Sequence, residues 1–276
     1  MGHYFRPRHL EEALTALRRR PVVLAGGTDF YPARVGQLVD EDVLDISWIE
    51  GLRGVTADAL GWRLGATTTW AELVEADLPP LFDALKQAAR EVGGRQIQNT
   101  GTLAGNLCNA SPAADGVPCL LALDAEVEIV GPAERRRVPL RRFITGPRAT
   151  ALAADELVVA IRVPRPGQDA RSAFLKLGAR RYLVISIAMA AATLEIAEGG
   201  VAAARIAVGA CSPVAERLPA LEAALLGAPF DARLAERVDQ AQLAPLSPLD
   251  DVRGSADYRR DAVVTLLRRL LVSLAP

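Results

Sequence analysis

The segment VVLAGGTDF, residues 22–30, places two adjacent glycines directly after a short apolar run. The run has the composition of a buried strand, and the glycine pair ends it. Adjacent glycines can adopt positive φ angles and let backbone N–H groups approach an anion closely. Thr28 adds a hydroxyl donor, and we expect Asp29 to cap a short helix from Phe30 to Val35 whose N-terminus also faces the anion. A plain strand–turn–helix without a ligand is the alternative interpretation.

A second segment of similar character, NTGTLAGNLCNASP, spans residues 99–112. It combines two glycines with a dense set of amide and hydroxyl side chains, and a buried polar group without a partner costs about 1–3 kcal/mol. A solvated loop is the alternative, but Leu103, Leu107 and Cys108 are unfavourable in water. Neither segment has the spacing G-x-G-x-x-G or G-x-x-x-x-G-K-[ST], which disfavours an ordinary Rossmann site or P-loop. A dinucleotide held by two separate loops is compatible with both segments.

The composition excludes several classes of function. The chain has 276 residues and a net charge of −1, which gives no strong attraction to nucleic acid or anionic lipid. Its three cysteines have no C-x-x-C spacing, so we expect no disulfide framework, no metal site and no four-cysteine iron–sulfur cluster in this chain. No uncharged apolar stretch of about 18 residues and no signal peptide is evident, and a reducing cytoplasm fits best.

Catalytic side chains are also missing from the pattern. The two histidines, His3 and His9, lie outside both glycine segments, so no Ser-His-Asp or Cys-His set is available. We therefore assign no side chain a catalytic role, which fits a chain whose chemistry belongs to a cofactor.

The length allows more than one domain, and local patterns predict how elements alternate along the chain. Thr69 and Glu72 have the spacing of a capping box. The best linker candidate is the polar segment 165–171. Residues 93–115 are a polar, glycine-rich stretch, and we interpret residues 99–112 within it as a loop. Helices are predicted at 10–20, 81–92, 220–226, 232–242 and 258–274, and strands at 22–24, 43–46, 63–66, 127–129, 157–163, 173–177, 185–196 and 206–210.

The motifs AGGTD, residues 25–29, and TLAGN, residues 102–106, resemble the two flavin-binding motifs of the FAD subunits of xanthine dehydrogenase and carbon monoxide dehydrogenase. These proteins form the molybdenum hydroxylase family. The segments GATTT (65–69), DAEV (124–127) and FLKLG (174–178) agree in order and spacing. The resemblance therefore covers nearly the whole chain, from about Phe5 to the C-terminal helix.

The resemblance implies an α+β fold of the PCMH or vanillyl-alcohol-oxidase (VAO) type. Two α/β subdomains sandwich FAD, and a C-terminal subdomain with a small antiparallel sheet and helices covers the flavin end. In this sequence we expect FAD-binding subdomain 1 at residues 1–53, FAD-binding subdomain 2 at 54–168, and a C-terminal CO-dehydrogenase-flavoprotein-like domain at 169–276.

Roles carried over from the resemblance centre on the two motifs, which should wrap the pyrophosphate mainly through backbone N–H groups. Lys176 should lie beside the flavin carbonyl or N1, where a cation stabilises the anionic reduced flavin and raises its potential; a surface lysine is the alternative. Tyr182 could stack near the flavin or serve packing alone. The implied cofactor-binding residues are Leu24, Ala25, Gly26, Gly27, Thr28, Asp29, Phe30, Val92, Gly93, Gly101, Thr102, Gly105, Asn106, Asn109, Ser111, Asp115, Leu157, Val158, Lys176 and Tyr182.

Three features depart from relatives. Ala104 stands where a second glycine is common, which tightens the approach without abolishing binding. Leu183 replaces an acidic residue of larger eukaryotic relatives, which puts an NAD-related acidic role in doubt. The scattered cysteines argue against the cysteine-rich iron–sulfur loop of the 4-hydroxybenzoyl-CoA reductase type.

The resemblance implies an oxidoreductase subunit that takes electrons from a partner's [2Fe–2S] cluster into FAD and passes them to NAD⁺ or another acceptor. Molybdopterin would sit on a large partner subunit and the iron–sulfur clusters on a small one, in a dimer of heterotrimers. A stand-alone PCMH-type flavin oxidase or dehydrogenase is the alternative, and a nucleotide-binding regulatory module is a third reading.

Overall fold

The computed structural model describes residues 2–276 and begins with a three-stranded parallel sheet in the order β1-β3-β2. β1 and β2 each run parallel to β3, which lies between them. The helix α1 connects β1 to β2 as a crossover and packs its buried face on this sheet. The elements of this N-terminal unit are β1 (Tyr4–Phe5), α1 (Leu10–Leu17), β2 (Val22–Leu24), a 3-10 turn (Pro32–Arg34) and β3 (Val43–Asp45).

The prediction that Asp29 caps a helix from Phe30 to Val35 is wrong. Only the 3-10 turn Pro32–Arg34 forms, and no side chain caps it. The Asp29 carboxylate is free of a capping role and is exposed.

The middle unit is a five-stranded antiparallel sheet in the order β4-β5-β10-β6-β7, covered by helices. The predicted strand 157–163 is its central strand, because the five apolar residues in succession from Leu157 to Ile161 suit a strand with both faces covered. The elements are β4 (Val55–Asp58), β5 (Gly61–Gly65), α2 (Trp70–Glu75), a 3-10 turn (Pro80–Phe82), α3 (Asp83–Glu91), α4 (Arg95–Thr100), α5 (Leu103–Asn109), α6 (Gly116–Ala122), β6 (Glu126–Val130), β7 (Arg135–Pro139), α7 (Leu140–Phe143), β8 (Ile144–Gly146), β9 (Ala149–Thr150) and β10 (Leu157–Pro164).

Two predictions of local structure in this unit have opposite outcomes. The capping box is confirmed: Thr69 Oγ1 accepts from the Glu72 N–H at 3.3 Å, and the Thr69 N–H donates to Glu72 Oε2 at 2.9 Å. The interpretation of residues 99–112 as a loop is wrong, because the end of α4 and the whole of α5 occupy most of it. Its polar residues act as helix-end partners: Thr102 Oγ1 accepts from the Gly105 N–H at 3.1 Å and caps α5.

The C-terminal unit is a four-stranded antiparallel sheet in the order β11-β12-β13-β14, with two differently covered faces. Alternation along β12 sends Ala190 and Ala192 towards α8 and α9, and Met189 and Ala191 towards α3 and α6 of the middle unit. The elements are β11 (Asp169–Leu177), β12 (Ala188–Ala197), β13 (Gly200–Gly209), β14 (Glu216–Arg217), α8 (Pro219–Leu225), two 3-10 segments (Ala232–Arg237 and Gln240–Leu243) and α9 (Ala256–Leu274).

The C-terminal helix has the predicted apolar stripe, and its members are buried. The predicted helix 232–242 consists instead of the two 3-10 segments. The predicted linker is shorter than expected, because β11 already begins at Asp169. The mixture of one parallel and three antiparallel sheets with packed helices agrees with the predicted α+β class.

Candidate cofactor-binding site

The two glycine segments meet at one cavity of about 620 Å³, a size suited to a cofactor. Its walls come from the turn after β2, the junction of α4 and α5, the β8–β9 hairpin and the start of β10. Segments separated by about 75 positions in the sequence therefore form one concave surface. The predicted residues that line it are Leu24, Ala25, Gly26, Gly27, Thr28, Asp29, Phe30, Val92, Gly101, Thr102, Gly105, Asn106, Asn109, Leu157 and Val158.

The contact between the two segments depends on the absence of a side chain at Gly26. A Cβ at Gly26 would lie 1.9 Å from the backbone oxygen of Thr100 and 3.0 Å from the Cα of Gly101. Gly27 adopts φ +71°, a left-handed conformation that favours glycine. The glycine pair thus allows both a close backbone approach and a turn.

The turn after β2 presents a row of unused backbone donors. The N–H groups from Gly26 to Asp29 donate no hydrogen bond within residues 2–276. Gly26, Gly27 and Thr28 are half-buried, and donors in such positions normally have partners. Consecutive free N–H groups beside a cavity therefore fit an anionic ligand such as a diphosphate. This part of the structure fits the pyrophosphate of FAD.

The second segment contributes a buried acceptor. Asn106 Oδ1 is buried without a hydrogen-bond partner among the described residues. A Cβ at Gly116 would lie 3.1 Å from this oxygen and 2.6 Å from the ring of Trp70, so the surroundings are tightly packed. A buried unpaired amide oxygen is unfavourable, and a hydroxyl or N–H of a cofactor would satisfy it.

Not every N–H of the second segment is free. The Gly101 N–H donates to Ile97 O at 2.7 Å, and the Gly105 N–H donates to Thr102 Oγ1 at 3.1 Å. The predicted cradle roles of Gly101, Thr102 and Gly105 therefore rest on shape and proximity more than on unused backbone donors.

Five predicted residues lie outside the cavity wall. Ser111 Oγ accepts from the Ala113 N–H at 3.3 Å, and Tyr182 is 55% exposed with Arg181 5.1 Å from its ring centroid. Gly93 is exposed just after α3. The other two are Asp115 and Lys176, and the roles of all five stay predictions.

Lys176 and Asp115 form a buried ion pair between the middle and C-terminal units. Lys176 Nζ lies 2.7 Å from Asp115 Oδ2, and the side chains are 4% and 9% exposed. Ser186 Oγ donates to Asp115 Oδ1 at 2.6 Å. The surface-lysine alternative is therefore excluded: Lys176 points away from Leu175 and Leu177, which pack on the opposite face of the sheet.

Glu91, near the end of α3, is a further charged group beside this pair. Burial raises the pKa of its carboxyl; the Lys176 charge opposes that shift, and the Asp115 charge adds to it. Lys176 thus faces two carboxylates of the middle unit.

Several cavity residues were not predicted from sequence. Trp70 and Ala66 carry no signal in the sequence that distinguishes them from core residues. Cys108 is exposed at the cavity. Two cations also line the wall, Arg34 and Arg148.

No group of three or more histidine, cysteine, aspartate or glutamate side chains within residues 2–276 could hold a metal ion. No helix in the same range is long and apolar enough to cross a membrane.

Comparison with known proteins assigns both halves of the chain. Residues 1–166 match the family described as the FAD binding domain in molybdopterin dehydrogenase, and residues 173–274 match the CO dehydrogenase flavoprotein C-terminal domain. The chain is 31% identical to the putative xanthine dehydrogenase FAD-binding subunit of Escherichia coli K12, over 97% of this chain and 94% of the relative. It is 29% identical to the carbon monoxide dehydrogenase medium chain of Hydrogenophaga pseudoflava, over 97% of this chain and 95% of the relative.

Solved structures agree with the sequence comparison. The carbon monoxide dehydrogenase of Hydrogenophaga pseudoflava that lacks the Mo-pyranopterin moiety matches with a TM-score of 0.86 and 30% identity, over 99% of this chain and 96% of the other. Reconstituted CO dehydrogenase from Oligotropha carboxidovorans matches with a TM-score of 0.89 and 28% identity, over 100% and 97%. These matches confirm the predicted fold. The chain belongs to the oxidoreductase family of FAD-binding medium subunits found in xanthine and carbon monoxide dehydrogenases.

Proposed function

We propose that this chain is the FAD-carrying electron-transfer subunit of a multi-subunit molybdenum hydroxylase. One observation carries the proposal: two distant glycine segments enclose a cavity with unused backbone N–H groups on one wall and the unpaired Asn106 Oδ1 on another. Both features suit a dinucleotide with a diphosphate and hydroxyl groups. When bound, FAD supplies the redox chemistry, accepting and releasing electrons.

Within this proposal each wall has a separate task. The turn from Leu24 to Phe30 holds the diphosphate through its amides, and the segment from Gly101 to Asn109 closes the opposite side. Leu157 and Val158 supply apolar surface for the ring system. Lys176 is proposed to place positive charge at the flavin end, which stabilises the reduced, anionic form.

The chain's place in a larger assembly is also a proposal. Relatives carry names such as nicotinate dehydrogenase FAD-subunit and carbon monoxide dehydrogenase medium chain, which describe parts of complexes. We propose a molybdopterin-binding large subunit and a [2Fe–2S] small subunit as partners, in a cytoplasmic dimer of heterotrimers. The small subunit would deliver electrons, and NAD⁺ or another acceptor would remove them.

The predicted division at residues 53 and 168 also belongs to the proposal. Three groups of buried apolar side chains support it, since each unit contributes most of one group. The N-terminal group also takes in Val130, Leu157 and Val159 of the middle sheet, so the first two units share a boundary of packed side chains.

The test is to purify the chain alone and after co-expression with the neighbouring reading frames. We expect a yellow protein in both cases. The flavin absorbance of the complex should bleach anaerobically with the right member of a panel of purines, aldehydes, nicotinate and carbon monoxide, and the isolated chain should not respond. Bleaching of the isolated chain by one of these substrates would instead support a stand-alone flavin oxidase.

The electron acceptor is tested separately on the isolated chain with NADH. If NAD⁺ is the acceptor, NADH should bleach the flavin by the reverse reaction. An unchanged flavin spectrum would exclude NAD⁺ and direct the search to oxygen or a quinone. A chain that binds nucleotide but no flavin would refute the proposed function itself.

A further inference from the structure

Arg148 lies in the tight turn between β8 (Ile144–Gly146) and β9 (Ala149–Thr150). Its backbone is left-handed, with φ +58°, and its N–H donates to Ala110 O at 2.9 Å at the end of α5. Glycine would suit this conformation better than arginine. The turn itself therefore does not require the arginine side chain.

The guanidinium reaches across the cavity between the two glycine segments. Arg148 Nη1 donates to the backbone oxygen of Asn109 at 3.2 Å and to the Asn109 side-chain oxygen. The same nitrogen lies 4.0 Å from Asp29 Oδ1. Arg148 thus touches the last residue of α5 and approaches the turn after β2, the two segments that form the proposed cradle.

Most of the hydrogen-bonding capacity of Arg148 is unused. A guanidinium has five N–H donors, and within residues 2–276 its bonds all run from Nη1. The side chain is 59% exposed and belongs to the cavity wall. Its Nε and Nη2 donors are therefore available to a ligand.

The charged side chains that line the cavity also point to Arg148. Among the described residues its wall holds two cations, Arg34 and Arg148, and one carboxylate, Asp29. The guanidinium of Arg34 is already paired within the protein: it donates to Glu41 and to Phe30 O, and lies 3.9 Å from the centroid of the Phe30 ring. Asp29 alone would repel an anion at the free amides, so the arriving diphosphate depends on Arg148 for positive charge.

We infer that Arg148 is a binding residue for the diphosphate of FAD, an inference that rests on the proposed function. A planar guanidinium matches phosphate oxygens in geometry and charge. Arg148 also offsets the Asp29 carboxylate beside the amide-rich turn. It discriminates a cofactor with a diphosphate from one without.

The test compares Arg148→Gln and Arg148→Lys with the wild-type full chain after removal of flavin. FAD binding is followed by quenching of flavin fluorescence, and ADP and adenosine are titrated calorimetrically. For Arg148→Gln we expect FAD and ADP to bind about tenfold to hundredfold more weakly, with adenosine unchanged. Arg148→Lys should retain part of the affinity, because lysine keeps the positive charge but lacks the planar, multiple N–H donors of the guanidinium. Added salt should weaken FAD binding more in the wild type than in Arg148→Gln.

The matched control is Arg142→Gln, since Arg142 is exposed just before the same hairpin and does not line the cavity. It should bind FAD as the wild type does. Equal losses for ADP and adenosine in Arg148→Gln would make Arg148 a structural support of the hairpin and overturn the inference, as would unchanged FAD affinity. If the wild-type chain binds no FAD, the proposed function fails first.

Discussion

A single methyl group at Gly26 tests whether the two glycine segments meet as the structure shows. In Gly26→Ala the new Cβ would lie 1.9 Å from Thr100 O, whereas an ordinary C···O contact is about 3.3 Å. The segments would have to separate by about 1.4 Å. The obstacle is backbone at the end of α4, held by the bond from the Gly101 N–H to Ile97 O at 2.7 Å, so it cannot swing aside as a side chain would.

The expected result is loss of cofactor with a moderate loss of stability. Overpacking of this kind costs about 1–3 kcal/mol, and each 1.4 kcal/mol lost from binding is about a tenfold change in Kd. Gly26→Ala should therefore weaken FAD binding by about fivefold to a hundredfold. The assay is the flavin absorbance per protein after purification, with titration of FAD into the flavin-free chain. Circular dichroism confirms that the variant is folded.

Gly36→Ala is the matched control, because Gly36 has φ +76° and nothing lies within 4 Å of its Cβ position. It introduces the same methyl group, with backbone strain but no collision, and should keep wild-type FAD occupancy. Gly27→Ala should fall between them, since its Cβ meets the movable ring of Tyr31 at 2.7 Å. A folded Gly26→Ala protein with full flavin content would refute the close approach of the two segments.

Three further perturbations test other parts of the structure. Lys176→Met leaves the buried Asp115 carboxylate without its ion partner and should lower the free energy of unfolding by about 3–5 kcal/mol in urea titrations; the double variant with Asp115→Asn should lose less than the sum of the single losses, and simple additivity would contradict the pairing. Iodoacetamide should label only Cys108, because the other two cysteines are buried, and added FAD should block the reaction; labelling that continues unchanged would place the cofactor elsewhere. The hydrogen bond from Tyr4 to Asp45 raises the pKa of Tyr4 to about 12, above its ordinary value of 10, so its contribution to stability is complete below pH 10 and is lost as the pH rises towards 12; Tyr4→Phe should flatten the fall in stability over this window, and an unaltered slope would rule out the bond.

Elements set by short-range rules could be predicted from the sequence. The capping box at Thr69 depends on residues three positions apart, and the stripe on α9 depends on helical spacing alone. The alternation of side chains along β11 likewise predicted that Lys176 lies on the other face of the strand from Leu175 and Leu177. In each case the prediction depends on residues that are close together in the sequence.

The wrong predictions of local structure fall where the same types of residue are common in two different structures. Residues 93–115 are rich in short polar side chains, which favour loops and also cap helices. In the structure Thr102 caps α5, and Leu103 and Leu107 face the core one turn apart. Asp29 shows the reverse error: the 3-10 turn begins only at Pro32, so Tyr31 and not Asp29 occupies its N-cap position.

Arg148 could not have been found from sequence, because nothing near it in the chain marks it. Its partner Asn109 is 39 positions away, and the two meet only because the β8–β9 hairpin packs beside the end of α5. Side-chain contacts between distant elements depend on the packed fold, whereas a glycine turn can be predicted from residues that are adjacent in the sequence.

The buried ion pair of Lys176 and Asp115 connects the C-terminal sheet to a residue next to the cavity wall. Asp115, which bonds Lys176 of β11, directly precedes Gly116, and a Cβ at Gly116 would lie 3.1 Å from the unpaired Asn106 Oδ1 of the cavity wall. A displacement of the C-terminal sheet would therefore reach the cavity across one peptide unit. Because packed interiors transmit strain instead of absorbing it, the position of this sheet and the shape of the cavity should not vary independently.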